Sequence, residues 1–119
     1  MTTSLNDSTS ASPRDSLALL AQALQRFADE RDWGQFHAPK NLASALVVEA
    51  GELLEPFQWL TEAQSRELPP DTKEAVAQEM ADVLLYLVQL STALDVDLID
   101  AAQRKMVINA RKYPAVRTV

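Results

Sequence analysis

The chain has 119 residues, which is room for one domain with a modest core, and its formal net charge of −6 argues against any nucleic-acid polymer as a partner. It contains no cysteine, which excludes disulfides, zinc-thiolate sites and thiol nucleophiles and fits a reducing compartment. With 47% hydrophobic residues and two glycines the composition suits an all-α protein; no apolar run is long and charge-free enough for a bilayer and no basic-then-apolar leader is visible, so we expect a cytoplasmic protein without a membrane partner.

Residues 1–12 are small and polar without periodicity and are expected to form a disordered tail. Ser12, Pro13 and Asp15 read as the N-cap, first position and acidic first turn of a helix that continues to about Asp32. Leu17, Leu20, Leu24 and Phe27 share one face of it, with Ala21 and Ala28 nearby. From Trp33 to Lys40 the pattern breaks into a loop that holds Trp33, Phe36 and His37, and loops seldom carry large aromatics without a surface to pack on.

Asn41 is a candidate cap for a second helix, expected from Leu42 to about Trp59 with Pro56 tightening its last turns. Thr61 to Leu68 suggests one short helical turn, closed by Pro69 and Pro70. Asp71 and Glu74 read as a capping box that opens a third long helix, ending near Leu94. Asp97 opens the last helix, whose seam of Ile99, Ala102, Met106, Asn109 and Tyr113 ends at Pro114. The domain is thus expected over 13–114, with 115–119 as a C-terminal tail.

Two acidic phrases stand out. Glu49 and Glu52 in the second helix, and Glu79 and Asp82 in the third, are each three residues apart and so share one helical face. A single such pair usually marks a solvated surface, where the repulsion costs only about 0.2–0.5 kcal/mol. Here both pairs have the same phase relative to the apolar arc, which contains Leu42, Leu46, Val47, Leu53 and Leu54 in one helix and Val76, Val83, Leu84, Leu87 and Leu90 in the other. If those arcs pack together, four carboxylates converge where an unpaired ion costs several kcal/mol, and a hard cation taking oxygen ligands relieves the repulsion. Di-iron bundles need Glu-x-x-His pairs; the one histidine, His37, lies in a loop, so oxygen ligands alone point to Mg²⁺, or to Mn²⁺.

The other candidates have plain readings beside the functional ones. Trp33, Phe36 and Trp59 are either core or stacking platforms, and a stacked base gains about 1–3 kcal/mol. Asn109 in an apolar seam needs a partner, since an unsatisfied amide costs about 1–3 kcal/mol; that partner is either a helix-register bond or a base edge. Lys105 and Lys112 are surface lysines or, opposite an acidic cluster, phosphate ligands.

The pattern Glu49-x-x-Glu52 … Glu79-x-x-Asp82 resembles the acidic motif of the MazG-like all-α nucleoside triphosphate pyrophosphohydrolases. Glu30-Arg31-Asp32-Trp33, Phe36-His37, Pro39-Lys40-Asn41, Phe57-Gln58-Trp59, Tyr86-Leu87, Lys105-Met106-x-x-Asn109 and Tyr113-Pro114 make it look like the dCTP pyrophosphatase branch, over about residues 15 to 114. The resemblance implies a four-helix-bundle-like fold of antiparallel helices completed by oligomerisation, as a homotetramer that is a dimer of dimers. It implies Mg²⁺-dependent hydrolysis of dCTP and 5-substituted analogues to monophosphate and pyrophosphate. Glu49, Glu52, Glu79 and Asp82 would bind the metal and serve catalysis. Trp33, His37, Asn41, Trp59, Tyr86 and Asn109 would surround base and sugar, with Lys40, Lys105 and Lys112 near the phosphates. Pro56 departs from the pattern and bears on the placement of Trp59. The competing readings are a house-cleaning pyrophosphatase for dUTP or damaged nucleotides, and a non-enzymatic helical interaction module.

Overall fold

A computed structural model of the chain describes residues 13–116; the expected 1–12 tail, the Ser12 cap and residues 117–119 lie outside the described residues. Among the described residues five α-helices follow one another: α1 (Pro13–Glu30), α2 (Pro39–Leu54), the short α3 (Glu62–Arg66), α4 (Pro70–Ala93) and α5 (Leu98–Lys112). A 3-10 turn, Trp33–Phe36, links α1 to α2. Among the described residues no helix is long and apolar enough to cross a membrane.

The helix starts differ from expectation in an instructive way. Ala38 rather than Asn41 is the N-cap of α2, with Pro39 in its first turn, and Pro69 rather than Asp71 is the N-cap of α4, followed by Pro70. Proline suits the first helical position because its fixed φ is already helical and its missing N–H would be unpaired there. Asn41 instead turns its amide back, donating from Nδ2 to the Phe36 carbonyl at 3.2 Å. The capping box belongs to α3, where Gln64 N–H donates to Thr61 Oγ1 and Thr61 N–H donates to Gln64 Oε1. Asp97 caps α5 as expected, accepting from the Asp100 N–H at 3.0 Å.

Helix α2 stops at Leu54, short of Trp59. Pro56 has no N–H to give to Glu52, and beyond it the backbone closes i to i−3 bonds, Phe57 to Leu54 and Leu60 to Phe57, both at 2.9 Å. The chain from Glu55 to Leu60 is therefore a set of tight turns, which carries Trp59 out of the helical register.

The core is the α2/α4 pair, with α1 laid on α4. Leu42 lines one pocket with Gln89 and Thr92, whereas Pro56 lines another with Thr72, so the two helices run antiparallel. Among the described residues Leu42, Val76, Val88 and Ala28 are buried, and the arc residues Leu46, Leu53, Val83, Leu87 and Leu90 are half-buried, whereas Val47, Leu54 and Leu84, expected in the same arcs, are exposed because they sit at the arc edge turned away from the facing helix. A second apolar seam remains uncovered in the single chain. Ala43, Val47, Ala50 and Leu54 recur at four-three-four spacing on α2, and Val47 and Leu54 are 71% and 60% exposed. Ala77, Met80 and Leu84 form the counterpart on α4. Each seam lies roughly 90° round from its packed arc, in the direction away from the acidic pair; at 100° per residue in antiparallel helices, both seams open on the same side. Helix α5 stands off the pair, and Met106, Val107, Ile108 and Tyr113 are exposed along it.

Candidate functional site

Helix α2 supplies Glu49 and Glu52 from its second half, and α4 supplies Glu79 and Asp82 from its middle. Because the packed arcs of both helices sit just to one side of the first acid of each pair, burying those arcs brings the acids against one another. Glu49, Glu79 and Asp82 each present a carboxylate oxygen, and the three oxygens lie within 4.8 Å of one another. Glu52 is in hydrogen-bonding reach of both Glu49 and Glu79.

The cluster is electrostatically unbalanced. Burial first, then a hydrogen bond with Glu52 and the charges of Glu52, Asp82 and Glu79, push Glu49 from its ordinary 4.5 up to about 7. Glu79 is raised by burial, by the charges of Glu52 and Asp82, by a hydrogen bond with Glu52 and by the charge of Glu55. As whole residues both are half-buried, yet Oε2 of each is sealed from solvent without a hydrogen-bond partner. Two orphaned carboxylate oxygens, one from each helix and close to a third from Asp82, are what a hard divalent cation satisfies. The donor set therefore fits a divalent metal.

A cleft of ≈ 180 Å³ adjoins this cluster, and Asp82 belongs to both. Phe27, Trp33, His37, Tyr86 and Gln89 line it together with Leu24 and Leu85. Trp33 is set edge-on to Phe27, with ring centroids 5.4 Å apart, and the Arg31 guanidinium lies 3.5 Å over the other ring of that pair, Phe27. The 3-10 turn brings Trp33 and His37 to the cleft, and the His37 N–H closes it by donating to the Gly34 carbonyl at 3.1 Å.

The expected site residues thus divide. The structure gathers Glu49, Glu79 and Asp82 with Glu52 beside them, and Trp33, His37 and Tyr86 around the adjoining cleft. Within the single chain it does not bring the others there. Lys40 leaves α2 half a turn round from Glu49, and the Asn41 amide is engaged with Phe36. Trp59 is 87% exposed on its turn, and Lys105, Asn109 and Lys112 are exposed on α5, where Lys112 Nζ sits 5.4 Å over the Tyr113 ring. The seam that was expected to bury Asn109 is open to solvent here, so its amide carries no desolvation cost within the single chain.

Three contributors were not singled out from sequence. Glu55 acts on Glu79, and its i+3 spacing from Glu52 was the available signal. Phe27 shares the apolar face of α1, yet it is 43% exposed and lines the cleft. Gln89 also lines the cleft, and one glutamine in a long helix carries no motif that signals it.

A sequence model described as the MazG-like family matches residues 45–118. The dCTP pyrophosphatase 1 of Homo sapiens is 46% identical over 108 residues, spanning 89% of this chain and 64% of that protein. That of Mus musculus is 46% identical over 105 residues, spanning 87% and 62%. The chain thus covers less than two thirds of the length of these curated relatives. A crystallised pyrophosphatase from Archaeoglobus fulgidus is 40% identical and superposes with a TM-score of 0.79, over 84% of this chain and 94% of that one.

Proposed function

Because the chain belongs to the MazG-like family, we propose that it hydrolyses nucleoside triphosphates to the monophosphate and pyrophosphate with Mg²⁺ as cofactor, dCTP and its 5-substituted analogues being the preferred substrates. The observation that carries this reading is the junction of the three-carboxylate cluster with the aromatic cleft through Asp82. An oxygen-only cluster suits a cation that holds phosphates, and an apolar, ring-lined cleft beside it suits a base. The names of the relatives, dCTP pyrophosphatase 1, support the same reaction and substrate.

Glu49, Glu52, Glu79 and Asp82 would hold Mg²⁺, with Mn²⁺ an acceptable substitute. When bound there, the ion supplies charge neutralisation to the triphosphate and to the carboxylates. Water attacks the α-phosphorus, an O–P bond forms, the bridging bond to the β-phosphate breaks and pyrophosphate leaves. Either Glu49 or Glu52 accepts the proton that the water releases. Trp33, His37 and Tyr86 receive base and sugar, and their apolar neighbours exclude water from that end of the substrate.

The remaining binding residues, Lys40, Asn41, Trp59, Lys105, Asn109 and Lys112, are proposed to reach substrate in a homotetramer, a dimer of dimers. The uncovered seam of Val47, Leu54, Met80 and Leu84 supports association, since a monomer gains nothing by leaving such a stripe in water. The reaction is tested by incubating the protein with Mg²⁺ and dCTP, 5-methyl-dCTP, dUTP or dTTP, and assaying monophosphate and pyrophosphate with an EDTA control. Release of inorganic phosphate instead of pyrophosphate, or turnover undiminished by EDTA, would sink the proposal.

A further inference from the structure

We propose that Gln89 is a specificity-determining residue, its carboxamide hydrogen-bonding the polar edge of a pyrimidine ring held in the aromatic cleft. This inference rests on the nucleotide reading of the site. Asp82, Tyr86 and Gln89 follow one another at i, i+4 and i+7 on α4 and all three line the cleft, so they form one stripe along it. Asp82 ends that stripe at the carboxylate cluster, where the phosphates would lie. Seven residues of helix place Gln89 about 10 Å further on, a span comparable to the reach from phosphates through a pentose to the far edge of a base.

The chemistry of the lining narrows what Gln89 does. Leu24, Phe27 and Leu85 offer no hydrogen bond, Trp33 offers a donor only, and Asp82 belongs to the carboxylate cluster; His37 and Tyr86 each offer a donor and an acceptor, but only Gln89 carries the two side by side on one planar group. Gln89 is half-buried, and its amide makes no hydrogen bond among the described residues. The amides of Gln25, Gln35, Gln64 and Gln78 are paired within the chain, and Gln22, Gln58 and Gln103 are exposed to water, so among the described residues Gln89 is the half-buried glutamine without a partner. A carboxamide presents one donor face and one acceptor face side by side. That matches the ring nitrogen and the neighbouring substituent at C4 of a pyrimidine, with the amide turned one way for an amino group and the other for a carbonyl. Gln89 therefore recognises a substituted pyrimidine edge, and an unsubstituted ring leaves its amide half-paired.

The test compares the preferred pyrimidine deoxynucleotide, dCTP or dUTP, with the 2-pyrimidinone deoxynucleoside triphosphate, which lacks the C4 substituent. The wild-type protein with Mg²⁺ is expected to favour the substituted substrate roughly tenfold or more in kcat/KM. Gln89→Leu is expected to erase that preference by raising KM for the substituted substrate well beyond the smaller rise for the analogue, which loses only the bond to its ring nitrogen, with kcat nearly unmoved. Gln89→Asn, which withdraws the amide by one methylene, is expected to do the same and covers a folding defect in the leucine variant. A preference retained by both variants, or an equal loss on both substrates, overturns the assignment of Gln89. A wild-type protein that hydrolyses no nucleoside triphosphate overturns the reaction reading instead.

Discussion

Glu49 on α2 and Glu79 on α4 meet across the helix pair with carboxylate oxygens within 4.8 Å, and one oxygen of each is sealed from solvent without a partner. In the absence of a cation both groups are held above their ordinary range, Glu49 at about 7. The folded state therefore keeps protons that the unfolded chain releases, so stability falls as pH rises from about 4.5 to 7. Thermal melts in EDTA should show Tm dropping across that window from these groups, and saturating Mg²⁺ should flatten the drop. A metal-free protein whose Tm rises through that window would contradict the clustering.

Replacing Glu49 or Glu79 by Gln removes a ligand charge and part of the mutual repulsion at once. Each variant should lose Mg²⁺ binding by calorimetry and lower kcat/KM roughly 100-fold or more, while the metal-free Tm at pH 8 rises or holds. Wild-type turnover at saturating Mg²⁺ in either variant would show that the metal lies elsewhere.

Asp95 ends α4 in the left-handed region at φ 55°. Its N–H donates to the Thr92 carbonyl and the Val96 N–H to that of Ser91, the paired bonds of a Schellman cap, where glycine is favoured. Its charge also faces the negative end of the helix dipole. Asp95→Gly should stabilise the fold by about 0.5–1 kcal/mol in urea unfolding. Asp95→Asn should recover the charge part alone, and no gain in either variant would mean that the cap is not under strain.

Val47→Glu and Met80→Glu place charges in the exposed seam on the side of the α2/α4 pair away from the carboxylates. An unpaired ion in a covered interface costs several kcal/mol, so light scattering should find smaller assemblies for both variants. An unchanged mass would locate the interface on another face.

Trp59 touches little of its own chain, being 87% exposed. Trp59→Ala should therefore alter intrinsic stability by no more than about 0.5 kcal/mol, while raising KM if an assembled neighbour brings the indole to substrate. Unchanged kinetics across all four bases would leave Trp59 without a part in the site.

What the sequence determined by itself was periodicity and its consequence. Two long helices with acids in the same phase beside their apolar arcs can bury those arcs only by converging the acids, so the pairing of Glu49 with Glu79 and Asp82 is legible in the sequence alone. The chain order of helices was legible for the same reason. Other features depended on where irregular backbone goes, which periodicity does not encode. Pro39 and Pro70 moved the helix starts because first-turn proline outcompetes a side-chain cap, and Pro56 ended α2 early and swung Trp59 outward. Only the tertiary structure turned the loop after α1 so that Trp33 and His37 face Tyr86 and Gln89 on α4, because a cleft between distant segments is set by how α1 lies on α4 and not by the spacing within either.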